Sequence, residues 1–223
     1  MARRTKEDAR ATREALIDAA EHLFQAHGVA RTSLAQIATQ AGTTRGAIYW
    51  HFKDKADLFN AMMERVTLPL GQALQAADLA SDDPAQALRA AVLDAFARIE
   101  SDPQLVRVLQ IATHRVELTA ELAAVQQRRV NKQQASLHTF AAGLLSAYAL
   151  RKRAPSLPLD TAALGLQALL EGLLAQWLLT PGRFALITTV AGALDIYLHG
   201  LGLRSFPGTC DRSIHPLCPT RVL

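Results

Sequence analysis

The sequence has few aromatic residues and almost no cysteine, and both shortages limit what the protein can be. Aromatic residues make up 5% of the chain, so its core must come mainly from Leu, Ala, Val and Ile, which favours packed helices. The two cysteines, Cys210 and Cys218, both lie near the end of the chain and provide no disulfide framework. We therefore expect a cytoplasmic protein.

Long uninterrupted hydrophobic runs are also missing. The N-terminus is charged and has no apolar segment, so we expect no secretory signal. The most apolar stretch, residues 162–179, is interrupted by Gln167, Glu171 and Gln176. We interpret this stretch as a buried helix rather than a membrane span, and we expect no membrane partner.

The sequence contains none of the short motifs that are typical of common enzyme active sites. It has no H-E-x-x-H pair, no Gly-rich phosphate loop and no nucleophile elbow, so we predict neither catalysis nor a cofactor. Cys210, His215 and Cys218 supply three possible metal ligands but no fourth, and we predict no metal site. An enzyme that uses His114 and Glu171 as an acid–base pair stays a weaker hypothesis, since nothing in the sequence brings these two residues together.

Positive charge is concentrated at the start of the chain. The net charge of the whole protein is +4, and residues 1–55 contain nine Lys or Arg against six Asp or Glu, which leaves +3 in this first quarter. Clustered cations of this kind favour an anionic partner such as nucleic acid. Arg3, Arg4 and Lys6 could extend this surface as a basic arm.

Apolar spacing and capping residues predict helices along nearly the whole chain and no strands. Residues 8–27 place Leu16, Ala20 and Phe24 on one face, and Gly28 ends that helix. Asp54 is predicted to cap a helix that kinks or weakens near Pro69. Further helices are predicted at residues 84–100, 103–114, 120–151 and 160–179, with Asp83, Asp102 and Asp160 as caps. A last helix is predicted after the break at residues 180–182 and ends at about residue 199.

Residues 34–55 predict a helix-turn-helix. Ser33 and Gln36 form a capping box for one short helix, and a turn with Gly42 leads to a second helix that Thr44 caps. Arg45 begins this second helix, where side chains reach base edges. Other predicted DNA contacts, mostly to phosphates, are Thr32, Ser33, Thr44, Gly46, Tyr49, Trp50, His51, Lys53 and Lys55. Trp50 is predicted to pack its ring and to turn only its edge toward the DNA.

The same residues resemble the TetR family of transcriptional repressors. The similarity covers Leu34, Ile37, Ala38, Ala41 and Gly42 and the run TRGAIYWHFKDKADL at residues 44–58. That run, VQQ at residues 125–127 and GLLAQWL at residues 172–178 resemble the branch that controls multidrug efflux pumps.

The resemblance implies an all-α fold with an N-terminal three-helix DNA-binding domain and a larger C-terminal helical domain for ligand binding and dimerisation. We place these at residues 1–55 and 56–203, followed by an irregular tail at 204–223. The resemblance also implies that Lys55 contacts phosphate and that the last two helices pair with their copies in a four-helix dimer interface.

Polar residues among apolar ones in the C-terminal part predict a ligand site. Gln110 and His114 share a helix face, and Glu171 interrupts a run of leucines. Satisfied interhelical hydrogen bonds or simple exposure would explain these three equally. The predicted apolar wall, which ordinary core packing would also explain, comprises Leu70, Leu88, Val92, Phe96, Phe140, Leu144, Leu166, Leu170 and Trp177.

These features together predict a ligand-responsive repressor. A homodimer would bind a near-palindromic, double-stranded operator, and a small apolar or amphipathic molecule would release it. The alternatives are an architectural or non-induced DNA-binding protein and, less favoured, an all-helical enzyme.

Overall fold

The computed structural model describes residues 6–75, 82–117 and 119–203, with the side chains of 68–75 left out. Within those ranges all regular structure is helical, which confirms the predicted all-α fold. A short 3-10 turn, Ala120–Leu122, precedes the longest helix. The helices are α1 (Lys6–His27), α2 (Leu34–Gln40), α3 (Arg45–Ile48), α4 (Lys55–Gln75), α5 (Pro84–Ser101), α6 (Pro103–His114), α7 (Ala123–Leu150), α8 (Leu159–Leu179) and α9 (Leu186–Gly200).

Most predicted helix caps are confirmed. The Ser33 hydroxyl accepts from the Gln36 amide at 3.2 Å, and the Gln36 side chain accepts from the Ser33 amide at 2.8 Å. Thr44 caps α3 by accepting from the Ala47 amide at 3.2 Å. The carboxylates of Asp54, Asp83 and Asp102 accept hydrogen bonds from backbone amides in the first turns of α4, α5 and α6. Gly28 ends α1 with a φ of +83°, a conformation that favours glycine.

Two local predictions differ from the structure. Helix α3 ends at Ile48, because the amides of Trp50 and His51 bond three residues back, to Ala47 and Ile48, and tighten the chain into a turn. Helix α8 begins after Pro158 without a side-chain cap, and Asp160 lies inside its first turn. Helix α4 continues past Pro69 to Gln75, and the kink or weakening near Pro69 stays a prediction.

Two hydrophobic cores organise the chain. The first joins α1–α4 to four residues from later in the sequence: Val108, Ile111, Leu122 and Val125. The second is built from α5, α7, α8 and α9, and Leu105 of α6 belongs to it. Helix α6 therefore packs into both cores and connects them. The proposed division at residues 55 and 56 stays a prediction.

Helix α8 is, within the described ranges, the one helix whose length and composition would suit a membrane crossing. This is weak evidence, because the core helix of a soluble protein passes the same test. In this fold α8 buries one face in the second core through Ala162, Ala163, Leu166, Leu170, Trp177 and Leu178.

Candidate DNA-binding surface and ligand site

Helices α2 and α3 are held by their apolar sides, which leaves their polar sides outward. Ile37, Ala38, Ile48 and Phe52 are buried in the first core. The guanidinium of Arg13 lies 5.1 Å from the centroid of the Phe52 ring, so a cation from α1 covers the end of this helix pair. The start of α3 is fixed while its outer face stays open.

Most of the predicted DNA contacts lie on this open face. Ser33, Thr44, Arg45, Gly46, Tyr49, Trp50 and Lys53 are all exposed. Arg45 begins α3 and Tyr49 follows its last residue, and both side chains are exposed. Trp50 is 89% exposed, so the prediction that its ring packs is wrong. His51 is half-buried, with its ring centroid 6.4 Å from that of Phe52.

Lys55 does not lie on this surface. Its side chain is 5% exposed, and its ammonium donates to the carbonyls of Ala30 and Thr32, both at 3.1 Å. The same nitrogen lies 3.1 Å from a carboxylate oxygen of Glu121. The prediction of a phosphate contact is therefore corrected, because in this structure Lys55 joins the loop before α2 to the turn before α7.

Thr32 is also turned inward. Its hydroxyl donates to the carbonyl of Gly28 at 2.8 Å and is buried, so it neither caps α2 nor reaches a phosphate here. Ser33 alone provides the cap. The backbone amide of Thr32 bonds to the Val29 carbonyl, which makes this residue part of the turn between α1 and α2.

A charged cluster that the sequence did not predict joins α1, α4 and α6. Glu21 is buried, and its carboxylate accepts from Arg65 at 3.0 Å, from Gln104 at 3.0 Å and from Arg107. Burial lowers the pKa of Arg65. Hydrogen bonds and negative charges from Asp18, Glu14 and Glu21 raise it by more than burial lowers it, so the pKa of Arg65 lies above its usual value. A charged residue on the apolar face of α1, one turn before Phe24, was the signal available in the sequence.

The predicted apolar wall forms a packed core. Eight of its members are buried together in the second core: Leu88, Val92, Phe96, Phe140, Leu144, Leu166, Leu170 and Trp177. None of the eight lines any of the four cavities found among the described residues. The side chain of Leu70 lies outside the described residues. A ligand contact by this wall stays a prediction.

The predicted polar residues of the ligand site do not converge. Gln110 and His114 line a cavity of about 290 Å³ beside Gln25, and Gln110 donates to the Leu178 carbonyl at 2.9 Å. Glu171 borders a different cavity of about 240 Å³ and accepts from Gln167 at 2.8 Å. Partners within the chain, the alternative left open by the sequence, account for Gln110 and Glu171.

A further cavity, of about 280 Å³, lies between α4, α6 and α7. Phe59, Met63, Ala112, Val116 and Val125 provide its apolar lining. Its polar and charged lining consists of Asn60, Thr67, Thr113, Gln126, Arg128, Arg129 and Lys132. The sequence shows the three cations of this lining, Arg128, Arg129 and Lys132, close together in α7. Only the fold brings them beside α4 to form a cavity.

A helix-turn-helix with an exposed reading face, joined to a larger helical domain with cavities, defines a DNA-binding transcriptional regulator. Residues 16–62 match the profile described as "Bacterial regulatory proteins, tetR family". Residues 83–202 match the C-terminal region of MAATS-type transcriptional repressors. The chain belongs to the TetR family of transcriptional repressors.

Individual relatives are similar over nearly their whole length. The regulator TtgR of Pseudomonas putida is 36% identical over 208 residues, which cover 91% of this chain and 97% of TtgR. A crystal structure of NalD, the secondary repressor of the MexAB-OprM multidrug efflux pump in Pseudomonas aeruginosa, aligns with a TM-score of 0.78. Its identity is 36%, with 87% of this chain and 98% of NalD covered.

SmeT, the repressor of the SmeDEF multidrug efflux pump of Stenotrophomonas maltophilia, has been solved in complex with triclosan. That complex aligns with a TM-score of 0.74 at 33% identity, covering 89% of this chain and 96% of SmeT. These matches confirm the resemblance that the helix-turn-helix indicated. The family and these relatives are transcriptional regulators rather than enzymes.

Proposed function

We propose that this repressor binds a near-palindromic operator as a homodimer, controls a multidrug efflux operon and is released by small amphipathic compounds. The observation that carries the proposal is the exposure of Arg45 at the start of α3 and of Tyr49 and Lys53 just after that helix. The names of its relatives support the target, since NalD and SmeT repress efflux pumps. Such a repressor must reach chromosomal DNA, so we expect it in the cytoplasm.

Arg45 is assigned to base reading and Tyr49 to phosphate contact. In helix-turn-helix proteins the first residues of the second helix reach base edges in the major groove. Arg45 is exposed and makes no ion pair in the described part of the chain. Tyr49 lies one turn further along, where its hydroxyl would donate to the DNA backbone.

The exposed sides of α8 and α9 support the dimer. Leu164, Ala168 and Gly172 follow one another at four-residue spacing on the outer face of α8, and Gly192 and Ile196 do so on α9. Beyond the backbone of its own helix, a Cβ added at Gly172 or Gly192 would meet no atom of the described residues within 4 Å. Small residues beside exposed apolar ones leave room for two further helices from a second copy.

The test of DNA recognition compares two substitutions. Arg45→Ala should relax sequence preference, since a bidentate base contact contributes about 1–3 kcal/mol of discrimination. Tyr49→Phe together with Lys53→Gln should weaken binding to every duplex alike and reduce the salt dependence, because counterion release falls with each lost phosphate contact. Fluorescence anisotropy over a salt series, with matched and scrambled duplexes, measures both. Unchanged affinity in all variants would refute the assignment.

The packed second core favours one alternative, a repressor that no ligand releases. Eight of the predicted wall residues are buried together there, and none of them lines the cavity between α4, α6 and α7. That alternative predicts that a panel of amphipathic compounds shifts neither the melting temperature nor the operator affinity. Release by even one compound that binds the protein would exclude it.

A further inference from the structure

The cavity between α4, α6 and α7 combines an apolar wall with an excess of positive charge. Phe59 and Met63 of α4 face Val125 of α7 across it, and Ala112 and Val116 close it from the side of α6. Three cations of α7 also line it: Arg128, Arg129 and Lys132. Pockets of this kind, mostly apolar with a few polar groups, are typical of small-molecule sites.

The charge on this wall is incompletely balanced by the chain itself. Arg128 lies 3.8 Å from a carboxylate oxygen of Glu64 and donates to the Thr67 hydroxyl at 3.4 Å. Arg129 and Lys132 are exposed, form no ion pair among the described residues, and also line the neighbouring cavity that Glu171 borders. Burial lowers the pKa of Arg128, and Glu64 offsets only part of this effect. An added anion would stabilise all three cations.

An unsatisfied acceptor lines the same cavity. The side-chain oxygen of Asn60 is buried and has no hydrogen-bond donor among the described residues. A buried acceptor without a partner costs free energy, so a donor from a bound molecule would be favourable there. A hydroxyl group on the ligand would supply that donor.

We propose that this cavity binds a small amphipathic organic anion that carries a hydroxyl group, such as a phenolic carboxylate. Its body would pack against Phe59, Met63 and Val125, its carboxylate would pair with the cations of α7, and its hydroxyl would donate to Asn60. Gln110, His114 and Glu171 do not line this cavity, although the neighbouring cavity that Glu171 borders shares Arg129 and Lys132 with it. Binding is independent of the proposed repressor function, but an effect on DNA rests on that function.

The position of the cavity connects it to the DNA-binding part of the chain. Phe59 and Met63 belong to the first core, which also holds Ile37 and Ile48 of the helix-turn-helix. A molecule that displaces either α4 side chain therefore alters the packing that supports α2 and α3. An occupied cavity would lower operator affinity if it favours a conformation in which the two reading helices of a dimer no longer fit the DNA.

The ligand class is tested with three related probes on the full chain. Isothermal titration calorimetry should detect binding of para-hydroxyphenylpropionate. The methyl ester, which lacks the charge, and phenylpropionate, which lacks the hydroxyl, should each bind about tenfold more weakly, as expected for the loss of one charge-assisted or buried hydrogen bond. Absence of binding by the acid, or equal binding of acid and ester, would overturn the proposal.

The location is tested with matched variants. Arg129→Gln with Lys132→Gln should weaken binding of the acid by about tenfold or more and remove its preference over the ester. Arg151→Gln with Arg183→Gln removes two exposed cations elsewhere and should leave binding unchanged. Ala112→Phe should fill the cavity and abolish binding while the protein stays folded, as circular dichroism would report. Full binding by either cavity variant would overturn the assignment of the site.

An operator-binding measurement separates this proposal from the repressor function. The acid should lower operator affinity in the wild type and have no effect in the Arg129→Gln, Lys132→Gln variant. A wild type that binds the acid but no operator would disprove the proposed repressor function and leave the ligand site supported. A wild type that binds operator but not the acid would disprove the ligand site and leave the proposed repressor function intact.

Discussion

At the scale of single residues, Lys53 and Lys55 show how neighbouring cations acquire different roles. Both lie in the short segment of residues 53–55, and both are predicted from the sequence to contact phosphate. Lys53 is exposed, whereas Lys55 begins α4 beneath the loop before α2 and donates to two carbonyls there. Exposure, rather than charge, decides which of the two is available to DNA.

We predict that Lys55→Gln lowers the free energy of unfolding by about 1–3 kcal/mol, because two buried carbonyls lose their charged donor. Lys53→Gln is the matched control and should change it by less than about 0.5 kcal/mol, as for most surface substitutions. Urea denaturation followed by circular dichroism measures both. If Lys55→Gln kept full stability and lost only DNA affinity, the original phosphate assignment would be restored.

At the scale of helices, α6 holds the two cores together. Val108 and Ile111 pack into the first core and Leu105 into the second. The helix is also bonded at both sides, since Gln110 donates to the Leu178 carbonyl and the Arg115 carbonyl, just beyond its end, accepts from the Val29 amide at 3.0 Å. Movement of α6 must therefore disturb α1 or α8.

Glu21 of α1 is the centre of the charged cluster that joins α1, α4 and α6. Glu21→Gln should cost about 3 kcal/mol of stability, since it removes a buried carboxylate, leaves Arg107 without its carboxylate partner and takes one of three carboxylates from Arg65. Asp18→Asn removes an exposed carboxylate from the same Arg65 and should cost less than about 1 kcal/mol. Guanidinium denaturation of both variants provides the comparison. Equal losses of unfolding free energy in the two variants would mean that the burial of Glu21 does not strengthen its ion pairs.

At the scale of the whole molecule, the glycines of α8 and α9 distinguish contacts within the chain from contacts between copies. A Cβ at Gly165 would lie 2.5 Å from the Tyr197 hydroxyl, so this glycine serves the packing of α8 on α9. Gly172 and Gly192 face open space instead. Their small size has no explanation within one protomer, and a second copy would supply one.

We expect Gly172→Leu and Gly192→Leu to weaken dimerisation by about 1–3 kcal/mol through overpacking, while each protomer keeps its fold. Gly165→Ala is the contrasting variant and should lower the melting temperature through the clash with Tyr197. Sedimentation velocity at several concentrations, with thermal melts, separates the two effects. A wild type that sediments as a monomer at micromolar concentration would disprove the dimer.

The sequence by itself determined the features that depend on neighbouring residues. Caps at Ser33, Thr44, Asp83 and Asp102 act within three residues, so the beginnings of four helices followed from local hydrogen bonding. The helix-turn-helix was predictable for the same reason, because its turn and its exposed face are set within one short segment. Its motif was also specific enough to indicate the family.

Tertiary structure decided the features that join distant parts of the chain. Lys55 meets carbonyls 25 and 23 residues away, and Glu21 meets Arg107 at a separation of 86, distances that no local pattern encodes. The cavity depends likewise on α4, α6 and α7 meeting. Apolar periodicity predicts that Leu88 or Trp177 is buried, but only the packing of several helices decides whether such a residue borders a core or a cavity.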